Sequence, residues 1–157
     1  MVKLKFIFVS KTKEPWIVEG IEHYQKMLQK FADLEFVTVR DEKVTEHLSE
    51  KMVLEKEGER VSKLLDKSCF SIILDSNGRM FSTDELSEFF SQKMNSGYND
   101  FVFVTGSTLG LSSEVMNSAD FSLSLSKMTF PHQLVRIILL EQVYRAFSII
   151  GGRKYHK

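Results

Sequence analysis

Phe101-Val-Phe-Val104 is apolar at every position, and Thr105-Gly-Ser-Thr-Leu-Gly110 follows it directly. A strand that is apolar throughout is typical of a parallel sheet that is buried on both faces. On either side of this stretch, apolar runs alternate with amphipathic segments of helical period. That alternation predicts an α/β fold in which a mostly parallel sheet is flanked by helices.

Hydrophobic period and end signals place the elements along the chain. Strands are predicted at residues 3–9, 34–39, 69–74, 101–104 and 121–125. Helices are predicted at residues 14–31, 45–65, 82–95, 112–118 and 131–149. Ser82-Thr-Asp-Glu85 is a capping box, Asp75–Gly78 is a turn signal that ends the third strand, and Pro131 suits a first helical position. Gly58 is the weak point of the second helix.

Composition predicts one domain over residues 1–157, because the chain has no repeat and no low-complexity linker. The lone Cys69 cannot pair within the chain, which fits a reducing, cytoplasmic setting. No apolar stretch approaches the roughly 20 residues of a membrane span, and the four histidines lack metal-ligand spacing. We therefore expect neither a membrane partner nor a metal site.

Charge is balanced overall but uneven along the chain. The formal net charge is zero, which excludes a uniformly basic nucleic-acid binder. Residues 127–157, however, carry six basic residues against one acidic residue. This excess fits either a local phosphate-binding patch or ordinary surface charge.

Ligands of parallel sheets bind beyond the carboxyl ends of the strands. The loops of interest are therefore residues 75–78, 105–110 and 126–130. The glycine loop 105–110 permits close approach of a ligand to the backbone, although glycine is also the default residue of a tight turn. The loop is not a P-loop, because no Lys-Ser/Thr pair follows the glycines, and it is not the dinucleotide G-x-G-x-x-G motif.

Polar residues near the C-terminus form two further candidate groups. Glu141 and Arg145 are four residues apart on the last predicted helix, so they form an intrahelical ion pair or brace a site. The ending Gly151-Gly-Arg-Lys-Tyr-His-Lys157 is either a frayed terminus or a group that stacks on a base and contacts phosphate.

Three stretches resemble the RlmH family of SPOUT methyltransferases. They are residues 102–111 (Val-Phe-Val-Thr-Gly-Ser-Thr-Leu-Gly-Leu), residues 123–136 with Leu-Ser-Lys-Met-Thr-Phe-Pro-His, and residues 140–147 (Leu-Glu-Gln-Val-Tyr-Arg-Ala-Phe) with the terminal Tyr-His-Lys. The resemblance covers essentially the whole chain, including Lys56-Glu-Gly-Glu59.

The resemblance implies a Rossmann-like sheet whose C-terminal part threads a trefoil knot, and a homodimer. It implies an S-adenosyl-L-methionine-dependent methyltransferase that acts on N3 of a pseudouridine in a hairpin of 23S rRNA. The cofactor-binding positions implied by the family are Leu74, Gly106, Leu125, Ser126, Lys127, Met128, Thr129 and Phe130. Tyr155, His156 and Lys157 match the ending of the family, and the resemblance implies that they help to form the RNA-facing site of the partner subunit. Our own hypothesis adds Glu141 and Arg145 as candidate catalytic residues.

One position departs from the family pattern. The family usually has Ile-Gly-Gly in the glycine loop, whereas this chain has Thr105-Gly106-Ser107. If the third position requires a positive φ, Ser107 would be strained there.

Transfer of a methyl group to an imide nitrogen requires positioning, a route for the proton and positive charge beside the developing anion. Our hypothesis is that Arg145, Arg153 and Lys157 supply positioning and positive charge, and that Glu141 braces Arg145. Tyr155 and His156 shape the base pocket, and His156 is a candidate proton acceptor. The alternative from another class is a non-catalytic ribosome-binding or assembly factor on the same fold, which the change at Ser107 favours.

Overall fold

The computed structural model describes residues 1–152 and contains five strands and five helices in that range. The strands are β1 (Val2–Val9), β2 (Ala32–Val39), β3 (Phe70–Met80), β4 (Asp100–Thr105) and β5 (Phe121–Ser124). The helices are α1 (Pro15–Leu28), α2 (Glu50–Ser62), α3 (Thr83–Asn95), α4 (Ser113–Ser118) and α5 (Leu134–Ile150). The predicted α/β class is confirmed.

All five strands lie in one sheet of order β2-β1-β4-β3-β5, and every neighbouring pair is parallel. Parallel neighbours require a crossover segment between them, and the helices supply these crossovers. The carboxyl ends of all the strands therefore meet at one edge of the sheet. The trefoil knot that the family resemblance implies stays a prediction.

A hydrophobic core covers each face of the sheet. On one face α1, α3 and α5 pack over aromatic side chains, and Phe6 stacks between Phe36 and Phe103 at centroid distances of 5.1 and 5.0 Å. On the other face α2 and α4 pack over aliphatic residues such as Val102 and Val104. Every residue from Phe101 to Val104 is buried, as the apolar run predicts.

The start of α2 corrects a predicted boundary. The helix begins at Glu50 and not at Thr45, because the side chain of Ser49 caps it by accepting a hydrogen bond from Met52 N at 3.2 Å. Upstream, Thr45 and Leu48 bond to each other's backbone and close a separate turn. The helical period of the sequence does not reveal that turn.

The start of α5 corrects a second boundary. The helix begins at Leu134, so Pro131 is not its first residue, although the carbonyl of Pro131 accepts a hydrogen bond from Val135 N. Gln133 binds the loop after β1 instead: its Oε1 accepts from Lys13 N, and its Nε2 donates to Lys11 O. These two bonds fix the turn that precedes the helix.

The segment Asp75–Gly78 does not end the third strand, as its turn composition predicts. β3 continues to Met80, and its register against β5 shifts between Leu74 and Arg79. A Cβ placed on Gly78 would come within 2.7 Å of the backbone of Ser122, so only glycine allows this close approach. By contrast, the capping box before α3 is confirmed, with Ser82 and Glu85 bonded in both directions.

Within the part of the chain that the structure describes, no helix is long and apolar enough to cross a membrane.

Candidate functional site

A cavity of about 660 Å³ opens at the carboxyl edge of the sheet, beside the ends of β3, β4 and β5. Its walls come from the three loops that follow these strands and from the first turn of α5. The lining residues are 74–76, 105–110, 123, 125–126, 128–132 and 135. The loops that the sequence singles out thus converge on one cavity.

The glycine loop 105–110 is both a tight turn and a wall of this cavity. Gly110 N donates to the carbonyl of Ser107 at 2.9 Å, and Gly110 has a φ of +85°. A Cβ placed on Gly106 would overlap the carbonyl group of Gly110, so Gly106 must lack a side chain for the loop to close. The tight turn is therefore confirmed, and the close approach of a ligand to this loop stays a prediction.

Ser107 does not carry the strain that a positive φ would impose. Among residues 1–152, Ser10 is the one non-glycine residue with a positive φ. The Ser107 hydroxyl instead donates to Oε1 of Glu57 on α2 at 2.9 Å. The departure from the family pattern at this position is therefore compatible with the loop conformation.

The loop after β5 contributes most of the predicted cofactor positions to the cavity. Leu125, Ser126, Met128, Thr129 and Phe130 line it, as do Leu74 and Gly106 from the other two loops. Lys127 is not among the lining residues.

This loop is ordered by its own serine side chains. The Ser124 hydroxyl donates to the carbonyl of Ser126, and the Ser126 hydroxyl accepts from Met128 N, both at 3.0 Å. Met128 is 75% exposed, so one wall of the cavity ends in an apolar side chain that faces solvent.

Arg136, which the sequence analysis did not single out as a site residue, anchors the loop after β1 next to the cavity. It is fully buried in the first turn of α5. Its guanidinium donates to Thr12 Oγ1 at 2.6 Å, Val9 O at 2.9 Å and Ser10 Oγ at 3.1 Å. It also lies 4.9 Å from the ring centroid of Phe8. Burial lowers the pKa of Arg136 to about 10, so the group stays charged at neutral pH.

His132 joins this anchor to the cavity wall. Its Nε2 lies 3.5 Å from Ser10 Oγ, and the residue lines the cavity. Burial first, and then the neighbouring charge of Arg136, lower the pKa of His132. The imidazole is therefore neutral at the pH where an unperturbed histidine begins to take up a proton.

Glu141 and Arg145 form an ion pair on one face of α5, as their spacing predicts. Neither residue lines the cavity. Tyr155, His156 and Lys157, together with Arg153, lie outside the described residues, so their predicted roles stay predictions. No group of three or more histidine, cysteine or acidic side chains within residues 1–152 is arranged to hold a metal ion.

Comparisons with known proteins agree with one another. A family model described as "Predicted SPOUT methyltransferase" matches residues 2–156. The chain is 45% identical to "Ribosomal RNA large subunit methyltransferase H" of Carboxydothermus hydrogenoformans over 159 residues. This aligned region covers 99% of this chain and 100% of that protein. The chain is 44% identical, with the same coverage, to a protein of the same name from Acetivibrio thermocellus.

Proposed function

Because the chain belongs to the SPOUT methyltransferase family, we propose that it transfers a methyl group from S-adenosyl-L-methionine to N3 of a pseudouridine in 23S rRNA. The two full-length relatives carry the name of a methyltransferase of large-subunit ribosomal RNA, which supports an rRNA substrate. The identity of the base and of the methylated nitrogen rests on the family resemblance.

The observation that carries the proposal is the convergence of three strand-end loops on one cavity of about 660 Å³. That volume lies within the roughly 300–1,000 Å³ range of small-molecule and cofactor sites. The cavity lies where ligands of parallel sheets bind, beyond the carboxyl ends of the strands.

The lining residues fit an adenosyl cofactor in their chemistry. Leu74, Leu125 and Phe130 offer apolar surface for a purine ring. The absence of a side chain at Gly106 lets the glycine loop close into the turn that forms this wall of the cavity. These residues, with Ser126, Met128 and Thr129, would hold the cofactor.

Bound there, the cofactor supplies an electrophilic methyl group on a sulfonium. The target nitrogen carries a proton and is weakly nucleophilic until that proton leaves, so the chain has to favour the anionic base. In our proposal Arg145 supplies positive charge, and the carboxylate of Glu141 orients its guanidinium. Arg153 and Lys157 add charge, Tyr155 and His156 shape the base pocket, and His156 is the candidate acceptor for the N3 proton.

We propose that the active unit is a homodimer in which the C-terminal residues of one subunit serve the cavity of the other. Glu141 and Arg145 lie outside the cavity of their own subunit, which fits a composite site. A cytoplasmic location, where ribosomes are made, belongs to the same proposal.

The test is methyl transfer to ribosomes from a strain that lacks the gene, followed by mass spectrometry of the rRNA. Wild-type protein with the cofactor should add one methyl group to one pseudouridine. Arg145→Ala, Tyr155→Phe and His156→Ala should each lower the rate by tenfold or more. Wild-type activity in all three variants would refute the assigned roles, and a wild-type protein that neither methylates nor binds the cofactor would refute the function.

A non-catalytic ribosome-binding factor on the same fold loses its supporting observation. Ser107 was the feature that favoured it, and Ser107 adopts no positive φ and holds a hydrogen bond.

A further inference from the structure

Glu57 is a buried carboxylate outside the cavity. It lies on α2, is 3% exposed, and is not among the cavity-lining residues. Its Oε1 accepts from the Ser107 hydroxyl at 2.9 Å, and its Oε2 accepts from Glu42 N at 3.0 Å. A buried carboxylate is costly unless its oxygens are bonded, and here both are.

Neither partner of Glu57 is a cation. Arg60, on the same helix, pairs with Glu42, and none of the ion pairs formed within residues 1–152 includes Glu57. A carboxylate held by two neutral donors gains little from charge pairing, so its bonds chiefly fix the positions of the two segments that donate to it. Those segments are the loop after β2 and the glycine loop.

The helix that carries Glu57 is itself held tightly against α4. Gly58 packs so closely on Ser112 that a Cβ on the glycine would overlap the serine hydroxyl. The Ser112 side chain in turn caps α4 by accepting from Val115 N. The glycine loop is therefore fixed at its two ends by β4 and α4, and near its middle by the bond from Ser107 to α2.

We propose that Glu57 is a positioning residue for the cofactor, acting through Ser107 to hold the glycine loop in its binding conformation. Glu57 thereby sets cofactor affinity from outside the cavity, and its variants change affinity for the cofactor without changing the chemical step. The inference rests on the proposed function, because the ligand at the loop is taken to be S-adenosyl-L-methionine.

The test compares cofactor binding by calorimetry in the wild type and four variants of the full chain. Ser107→Ala and Glu57→Met each remove the bond, and each should raise the Kd for S-adenosyl-L-methionine by roughly three- to tenfold. Glu57→Gln should bind nearly as the wild type, because the amide can donate to the Ser107 hydroxyl, which rotates to accept. The matched control is Glu59→Met, which makes the same change at an exposed position of α2.

Two further measurements separate positioning from general stability. In the double variant Glu57→Met/Ser107→Ala the Kd should rise no more than in Glu57→Met alone, because Glu57→Met already removes the bond to Ser107. In turnover with ribosomes, the KM for the cofactor should rise while kcat at saturating cofactor stays unchanged. If Glu57 had a purely structural role, its variants would lower the melting temperature without raising the KM for the cofactor at an unchanged kcat.

The outcomes distinguish the inference from the function. If the wild type binds the cofactor and both Ser107→Ala and Glu57→Met bind it equally well, the inference is wrong and the proposed function stands. Additive effects of the two changes on Kd would also overturn the inference. If Glu57→Met does not fold, the Kd of Ser107→Ala alone tests the inference, because the Ser107 hydroxyl is the group by which the glycine loop binds Glu57. A wild-type protein that does not bind the cofactor overturns the function and the inference together.

Discussion

At the scale of single residues, Arg136 and Ser10 show how a strained backbone is held beside the cavity. Ser10 has a φ of +88°, a conformation that is unfavourable for a side-chain-bearing residue. Arg136 donates to its hydroxyl and to the carbonyl of Val9 just before it. The buried guanidinium thus compensates the strain at the end of β1, and the loop that follows is fixed next to the cavity wall.

Thr105 leads to a prediction about stability. Its hydroxyl is buried and has no hydrogen-bond partner among residues 1–152. Thr105→Val should therefore raise the free energy of unfolding by about 1 kcal/mol, because the variant removes an unpaired buried polar atom. Urea denaturation measures the change, and Thr38→Val, at an exposed position of β2, is the control. A loss of stability on Thr105→Val would mean that the hydroxyl is bonded.

His132 leads to a prediction about pH. Burial and Arg136 lower its pKa in the folded state below the ordinary value of 6.5, so folding favours the neutral imidazole. Its contribution to stability is complete above about pH 6.5 and is lost as the pH falls through the lowered pKa. The free energy of unfolding should therefore fall less steeply with acidification in His132→Gln than in the wild type. His47→Gln, at an exposed position, is the control and should not change how steeply the free energy of unfolding falls with pH.

At the scale of elements, Gly58 has a role opposite to the one its helix propensity suggests. A change from glycine to alanine within an ordinary exposed helix stabilises that helix by up to about 1 kcal/mol. Here the added Cβ would overlap the Ser112 hydroxyl, which cannot turn away without giving up the cap of α4. We expect a net loss of about 1–3 kcal/mol in the free energy of unfolding.

Chemical denaturation checks this expectation, with Glu55→Ala on the exposed face of α2 as the control. A more stable Gly58→Ala protein would contradict the close contact between α2 and α4.

Sequence reasoning succeeded where the signal is local. The four apolar residues of β4 and the reciprocal bonds of Ser82 and Glu85 are encoded within a few positions, and both features were predicted. It failed where the partner is distant. Arg136 bonds to residues more than 120 positions away, and Glu57 to a residue 50 positions away.

The sequence does contain one usable signal for these missed residues. Arg136 is a charged residue at the start of a run that is otherwise apolar, and a charge in such a run requires a buried partner. Nothing local marks the partner itself. The start of α2 was missed for a similar reason, because Thr45 and Leu48 satisfy each other's backbone in a turn whose composition resembles the helix.

At the scale of the whole molecule, the proposed homodimer predicts that two strongly impaired variants complement each other. Gly106→Val disrupts the cavity, and His156→Ala disrupts the proposed C-terminal contribution. If the C-terminal residues act in the partner subunit, a heterodimer of the two variants contains one intact site. An equimolar mixture, allowed to exchange subunits, should recover about a quarter of wild-type activity on ribosomes.

The controls for this experiment are the two variants assayed separately, each of which should retain at most about a tenth of wild-type activity. A mixture that exchanges subunits and is no more active than the separate variants would mean that the C-terminal residues act in their own subunit.

The order of the sheet also governs how the chain can acquire its structure during synthesis. β4 lies between β1 and β3, so two of the four ladders in the sheet wait for residues 100–105 to emerge. Until then the nascent chain exposes one unpaired edge of β1 and both edges of β3, which are surfaces prone to aggregation. β4 covers the edge of β1 and one edge of β3 together, and β5 covers the other edge of β3 only when residues 121–124 follow. Fragments that end before β4 cannot adopt the native sheet.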